Sequence, residues 1–100
     1  MNNFIILDIK SIKNNSSKII IQNNIPITVY KINNKIFALD NRCPHRGASL
    51  GDGIIENNII ECPLHQWKFN IKTGKCLLNS KVKVKSYKVE ESGKKVKIVL

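Results

Sequence analysis

Two short stretches of the sequence contain the side chains best suited to bind a metal. They read Cys43-x-His45 and, after a gap of 16 residues, Cys62-x-x-His65. Together they hold both histidines and two of the three cysteines of the chain. Thiolate and imidazole ligands in equal number suit zinc or an iron–sulfur centre. The pattern therefore predicts one site with four ligands, Cys43, His45, Cys62 and His65, and leaves the metal open.

The way the two ligand types are mixed bears on the choice of metal. Zinc sites with two cysteines and two histidines usually take their cysteines from one segment and their histidines from another. Here each stretch supplies one of each, which favours a centre with two unlike metal ions. A zinc-binding structural module is the alternative.

Residues that favour irregular backbone surround both stretches. Proline and glycine occur at Pro44, Gly47, Gly51 and Gly53, and Pro63 follows the second cysteine. Such residues are typical of loops, and loops held by a rigid scaffold often carry function. We expect metal-binding loops at about 42–53 and 61–69.

The rest of the chain shows an apolar period of two, which is typical of strands. The pairs Asn33-Asn34 and Ser92-Gly93 separate such runs and predict hairpin turns. We find no pattern that predicts a helix, and expect an all-β fold, a small antiparallel sandwich or barrel forming a single domain over 1–100. The predicted strands are 4–9, 18–22, 25–32, 35–39, 59–62, 67–71, 82–89 and 95–99.

The composition limits the partners and the location of the protein. Lys and Arg number 17 against 7 Asp and Glu, giving a net charge of +10, which favours acidic partners. Nucleic-acid binding is not expected, because only 6% of residues are aromatic and no basic stripe accompanies them. No apolar run approaches the roughly 20 residues of a membrane span. The first residues do not read as a secretory signal, so we expect a cytoplasmic protein.

Some residues near the two stretches have less specific roles. An odd number of cysteines argues against a disulfide framework, and Cys76, with no histidine nearby, is expected to be an ordinary thiol. Lys81, Lys83 and Lys85 alternate with valines, as on the exposed face of an edge strand. A docking face for an acidic reductase is the alternative for these lysines.

The longer strings around the ligands resemble a known family. Residues 43–50, CPHRGASL, and 62–69, CPLHQWKF, are similar to the cluster-binding loops of Rieske proteins, and Thr73-Gly74 also fits. The resemblance covers almost the whole chain and implies a Rieske 2Fe–2S cluster in a subdomain formed by two loops. It implies that Cys43 and Cys62 bind one iron, while His45 and His65 bind the other and face solvent as the electron exit.

Comparison with the branches of this family implies a low reduction potential. The high-potential branch has a further cysteine in each loop, joined as a disulfide, where this chain has Ala48 and Leu64. That branch also has a serine and a tyrosine, which hydrogen-bond the cluster, where this chain has Trp67 and Phe69. Without those hydroxyls, we expect a potential near the low end of the Rieske range, about −150 mV.

The resemblance implies a one-electron carrier without catalysis of its own. The carrier would pass electrons from a flavin-containing reductase to a terminal oxygenase or reductase. The small subunit of an assimilatory nitrite reductase is the alternative. A complete Rieske oxygenase is not expected, because its second, mononuclear iron needs two further histidines, and this chain has only two in all.

Overall fold

The structure, a computed structural model, describes residues 3–44, 47–63, 67–79 and 81–100. Within these ranges the chain forms antiparallel strands and two single 3₁₀ turns, Ile9–Ser11 and Leu50–Asp52, with no α-helix. The predicted all-β class is confirmed. The strands are β1 Phe4–Asp8, β2 Ser16–Gln22, β3 Ile25–Ile32, β4 Lys35–Asp40, β5 Ile54–Glu56, β6 Ile59–Glu61, β7 Lys68–Asn70, β8 Ser86–Ser92 and β9 Lys95–Val99.

The strands form one large sheet and one small sheet. The large sheet has the order β1-β9-β8-β4-β3-β2, and the small sheet has the order β5-β6-β7. The chain leaves the large sheet after β4, builds the small sheet, and returns at β8. Both predicted metal-binding loops fall in this excursion, so the small sheet and its neighbouring loops form the predicted subdomain.

Asparagine pairs close the two hairpins around β3. Asn33 and Asn34 have φ values of 49° and 65°, and Asn23 and Asn24 have values of 53° and 64°. Positive φ at both central residues is the geometry of a type I′ turn, which asparagine tolerates and which matches the twist of paired strands. The turn predicted at Asn33-Asn34 is therefore confirmed, with Tyr30 opposite Phe37 in the register that it sets.

Strand β3 separates two apolar cores. Tyr30 and Ile32 pack in the core that also contains the two predicted ligand cysteines of the small subdomain, whereas Ile27 and Val29 pack in the core of the large sheet. All four side chains are almost completely buried. Alternate residues of a strand point to opposite faces. Strand β3 therefore contributes side chains to both cores and links the small subdomain to the large sheet.

The segment before β8 differs from the prediction. A strand was expected from residue 82, but β8 begins at Ser86. The backbone N–H of Val84 donates to the Gly74 carbonyl at 2.8 Å, and the Cys76 N–H donates to the Val82 carbonyl at 3.0 Å. The backbone groups of residues 82–84 are thus hydrogen-bonded to the segment after β7, so these residues cannot extend β8.

Two smaller differences concern the small sheet. Its first strand, β5, was not predicted, because three residues are too few to show a period of two. Its last strand, β7, is shorter than the predicted 67–71. Among the described residues, none of the helical turns is long or apolar enough to cross a membrane.

Candidate metal centre

The first loop begins directly after β4 and is a tight turn around Cys43. The Cys43 N–H donates to the Ala48 carbonyl at 2.8 Å, and the Gly47 N–H donates to the Cys43 carbonyl at 2.6 Å. Gly47 has a φ of 70°, in the left-handed region that glycine adopts at low cost. Both backbone polar groups of Cys43 are therefore satisfied within the loop, which fixes where its sulfur can lie.

Asn41 braces this loop from inside. Its side-chain oxygen accepts hydrogen bonds from the Thr28 hydroxyl and, at 2.7 Å, from the Gly51 N–H. Its amide nitrogen donates to the Ser49 hydroxyl at 2.9 Å, and its carbonyl accepts from Leu50 at 2.8 Å. Asn41 is only 6% exposed. Asn41 was not predicted from the sequence, where its one local signal is a polar side chain directly after a buried strand.

The second loop is the connection between β6 and β7. Glu61 and Lys68 are the last paired residues of the two strands, and the Cys62 N–H donates to the Trp67 carbonyl at 2.7 Å. The end of the first loop packs against β6 at Gly53, where an added Cβ would overlap the Glu61 carbonyl oxygen. Only glycine allows this approach, so Gly53 sets the spacing between the first loop and the strand that leads into Cys62.

The two loops bring Cys43 and Cys62 into the same core. Cys43 is 2% exposed and Cys62 is fully buried, and both belong to the apolar cluster that contains Leu50, Ile60 and Phe69. No disulfide joins them. Two buried thiols, each at the start of its own loop, are suited to hold the inner iron of a cluster, because an apolar shell limits access of water.

The two predicted nitrogen ligands, His45 and His65, lie outside the described residues, as do Arg46 and Leu64. Within the part of the chain that is described, no group of three or more His, Cys, Asp or Glu side chains is gathered. The structure therefore places the sulfur half of the predicted ligand set. The assignment of all four ligands stays a prediction.

Two aromatic side chains in this core bear on the predicted reduction potential. Phe69 is fully buried and Trp67 packs partly buried against the same cluster, so both contribute to the core and neither offers a hydroxyl.

Cys76 is 4% exposed and lies opposite Phe69 in an antiparallel bridge. Its predicted role as an ordinary thiol is compatible with this position.

A buried phenol in this core was not anticipated. Tyr30 is fully buried, and its hydroxyl makes no hydrogen bond within the described residues. Burial raises the pKa of the phenol far above its ordinary value, and the nearby Thr28 hydroxyl offsets only part of that rise. The Tyr30 phenol is therefore neutral at neutral pH.

An ion pair holds the entrance to the first loop. The Asp40 carboxylate accepts hydrogen bonds from the Arg42 backbone at 2.9 Å and from its guanidinium at 3.0 and 2.7 Å. Partial burial acts to raise the pKa of the Asp40 carboxyl, but the hydrogen bonds and charge of Arg42, helped by Lys85, outweigh it and hold the pKa below its usual value.

Two curated relatives have a similar sequence. A ferredoxin component of naphthalene 1,2-dioxygenase/salicylate 5-hydroxylase systems from Ralstonia sp. is 43% identical over 65 residues, 64% of this chain and 62% of the relative. The ferredoxin component of a naphthalene 1,2-dioxygenase system from Pseudomonas aeruginosa is 39% identical over 75 residues, 74% of this chain and 72% of the relative. The matched part thus spans less than two thirds of the first relative.

Solved structures share the fold over nearly the whole chain. A ferredoxin from Sphingomonas yanoikuyae B1 has a TM-score of 0.82 at 30% identity and 93% coverage of both chains. A chain from the complex of reduced oxygenase and oxidised ferredoxin in carbazole 1,9a-dioxygenase has a TM-score of 0.89 at 23% identity, covering 97% and 93%. A protein described as a nitrite reductase small subunit, from Mycobacterium tuberculosis, has 0.87 at 14% identity, covering 97% and 94%. Because the last two structures are less than 25% identical to this chain, their likeness shows the fold alone.

The family match covers most of the chain. The pattern of the Rieske [2Fe-2S] domain matches residues 2–88, which include both loops, the small sheet and strands β1 to β4 of the large sheet. The matched range includes the two buried cysteines that the sequence predicts as the sulfur ligands of such a cluster. The chain therefore belongs to the Rieske family, whose cofactor is a 2Fe–2S cluster.

Proposed function

We propose that this protein is a one-electron carrier in which Cys43 and Cys62 hold one iron of the cluster and His45 and His65 hold the other. The observation that supports this best is the burial of both cysteines in one core, each at the start of its own loop, with Gly53 of the first loop packed against the strand that leads into the second. When bound, the cluster supplies reversible one-electron transfer.

The chain itself positions the two cysteines and shields them from water. Backbone hydrogen bonds fix the Cys43 loop on Ala48 and Gly47 and close the Cys62 loop on Trp67. Leu50 and Phe69, both fully buried, keep water from the sulfur side. A site that is rigid and dry on one side changes little in shape when an electron arrives, which favours fast transfer.

The direction of electron flow is inferred from the relatives, which are ferredoxin components of dioxygenase systems. We infer a flavin-containing reductase as donor and the terminal oxygenase of an aromatic-ring dioxygenase system as acceptor. A cytoplasmic location fits ligand cysteines that must stay reduced. The small subunit of a nitrite reductase remains the alternative, supported only by the shared fold.

The cluster itself is tested by an EPR spectrum of the reduced protein, with iron and sulfide analysis of the same sample. We expect a rhombic Rieske-type signal and about two irons and two sulfides per chain. A colourless, silent sample that contains zinc would overturn the electron-transfer function and favour a zinc-bound structural module.

The partners are tested by substitution in a reconstituted system. The protein would replace the ferredoxin component in a mixture of reductase and oxygenase from a naphthalene 1,2-dioxygenase system, with NADH as electron source. We expect substrate-dependent oxygen uptake that needs this protein. Failure there, together with electron transfer to a nitrite reductase large subunit, would favour the alternative.

A further inference from the structure

One surface next to the second loop carries an unusual concentration of positive charge. Between Cys62 and Val89 the chain contains seven lysines and no Asp or Glu. We call the described residues of 74–85 the lysine flap. The flap packs beside β7, where the Leu77 N–H donates to the Lys68 carbonyl at 2.8 Å. It therefore lies at the end of the molecule that carries Cys62.

Two lysines of the flap face each other. Lys75 and Lys83 are partners in an antiparallel bridge, and both are exposed. Residues paired in this way have side chains on the same face, with Cβ atoms about 4.5–5.5 Å apart, and like charges there are destabilising. Among the described residues, no carboxylate lies within ion-pair distance of either lysine. The fold thus keeps a repulsive pair that its own acidic residues do not neutralise.

The tip of the flap adds apolar surface between these charges and the loop. Leu77 is 50% exposed and Leu78 is 71% exposed, although the next inward residue, Cys76, is buried. The tip is held in shape, because the Val82 N–H donates to the Asn79 carbonyl at 3.0 Å and the Lys81 N–H to the Asn79 side chain at 3.0 Å. Exposed leucines beside exposed cations form the pattern of a protein interface with an apolar centre and a charged rim.

We propose that the lysine flap is the docking surface for an acidic redox protein, which places a carboxylate between Lys75 and Lys83 and an apolar patch on Leu77 and Leu78. This inference rests on the proposed function, and it specifies the partner: its surface around the electron-transfer site must be acidic. A carboxylate from the partner removes the Lys75–Lys83 repulsion, so part of the binding free energy comes from relief of that repulsion.

Two acceptors of opposite charge test the surface. The reduced protein is mixed in a stopped-flow instrument with acidic cytochrome b5, with basic cytochrome c, or with a small neutral quinone. We expect cytochrome b5 to be reduced about tenfold more slowly by Lys75→Glu/Lys83→Glu than by the wild type at low salt, with the difference shrinking as salt is added. Cytochrome c should show the opposite change, and the quinone should show none.

A matched variant controls for net charge. Lys13→Glu/Lys94→Glu makes the same change in charge near the Asn33-Asn34 turn, at the end of β4 opposite to Cys43. The Asn34 N–H donates to the side chain of Asn14, the neighbour of Lys13, and Lys94 lines the same groove as Asn34. We expect this variant to reduce cytochrome b5 at nearly the wild-type rate. Equal slowing by both double variants would show a general charge effect and overturn the docking surface.

The single variant Lys75→Glu separates docking from folding. It replaces the repulsive pair by an opposite-charge pair, so we expect a higher unfolding midpoint but slower reduction of cytochrome b5. Changes of stability and rate in the same direction would overturn the proposal. Absence of any reducible cluster in the wild type would instead overturn the proposed function, because the quinone reaction would then also fail.

Discussion

At the scale of single residues, the two cysteines predicted as ligands differ from the third in position rather than in burial. Cys43, Cys62 and Cys76 are all buried in one core. The first two begin loops that contain a histidine in the sequence, whereas Cys76 lies in the lysine flap opposite Phe69. Burial alone therefore does not distinguish the two predicted ligands from Cys76, whereas position relative to the loops does.

We expect Cys43→Ser and Cys62→Ser each to lose the cluster, since the hydroxyl is a poor substitute for a thiolate on iron. Iron content should fall from about two per chain to near zero, with loss of the visible absorption. Cys76→Ser is the control and should keep both. Loss of colour in that variant alone would show that the third cysteine is a ligand.

A second residue-scale prediction concerns Asn41. Asn41→Ala leaves the Thr28 hydroxyl and the Gly51 N–H without their acceptor in a buried position. Because each buried unsatisfied group costs about 1–3 kcal/mol, we expect the free energy of unfolding to fall by about 2 kcal/mol or more. Denaturant unfolding measures it. Ser49→Ala removes one bond of the same network, and a loss as large as that of Asn41→Ala would contradict the bracing role.

At the scale of elements, the first loop depends on two glycines with different physical roles. Gly47 needs a positive φ, but an added Cβ would meet nothing within 4 Å. Gly53 has ordinary backbone angles, but an added Cβ would overlap the Glu61 carbonyl. Gly47 is required by backbone conformation, and Gly53 is required by close packing of the first loop on β6.

We therefore expect unequal effects from the same substitution. Gly47→Ala should cost about 1–2 kcal/mol of stability through backbone strain and keep the cluster. Gly53→Ala must push the Cys43 loop away from the strand that precedes Cys62, so it should also lower the iron content. Iron analysis with denaturant unfolding of both variants decides this. Full iron loading in Gly53→Ala would show that the loops do not depend on this contact.

At the scale of the whole molecule, the Asp40–Arg42 pair couples acid stability to the junction between the sheets. The Asp40 N–H donates to the Lys85 carbonyl, which ties the end of β4 to the segment before β8. The pKa of the Asp40 carboxyl is lowered in the folded protein. Its contribution to stability is therefore complete above the ordinary carboxyl pKa of 3.8 and is lost as the pH falls through the lower, folded value.

Asp40→Asn tests this coupling. We expect the variant to be less stable than the wild type at pH 7, with the difference in unfolding midpoint closing as the pH falls below the ordinary carboxyl pKa. The cause is that protonation removes the same charge that the substitution removes. A difference that stays constant with pH would mean that the side chain acts by shape alone.

Several features of the whole fold are determined by local sequence preferences. Turns at Asn33-Asn34 and strands with a period of two depend on φ preferences and on neighbouring side chains, so the sequence alone determined them. The Cys–His spacing likewise indicated the metal-binding loops before any geometry was known. The Rieske match and the fold confirm that interpretation at the level of family and cofactor, and the four ligands stay a prediction.

The tertiary structure decided what depends on partners distant in the chain. Residues 82–84 have the period of a strand, but their backbone groups form hydrogen bonds with Gly74 and Cys76. The segment after β7 lies beside residues 82–84 and pairs with them before β8 begins. The acceptor role of Asn41 and the pairing of Lys75 with Lys83 arise in the same way. Local preference fixes which residues can form a strand or a turn, whereas long-range hydrogen bonds and packing fix which of them meet.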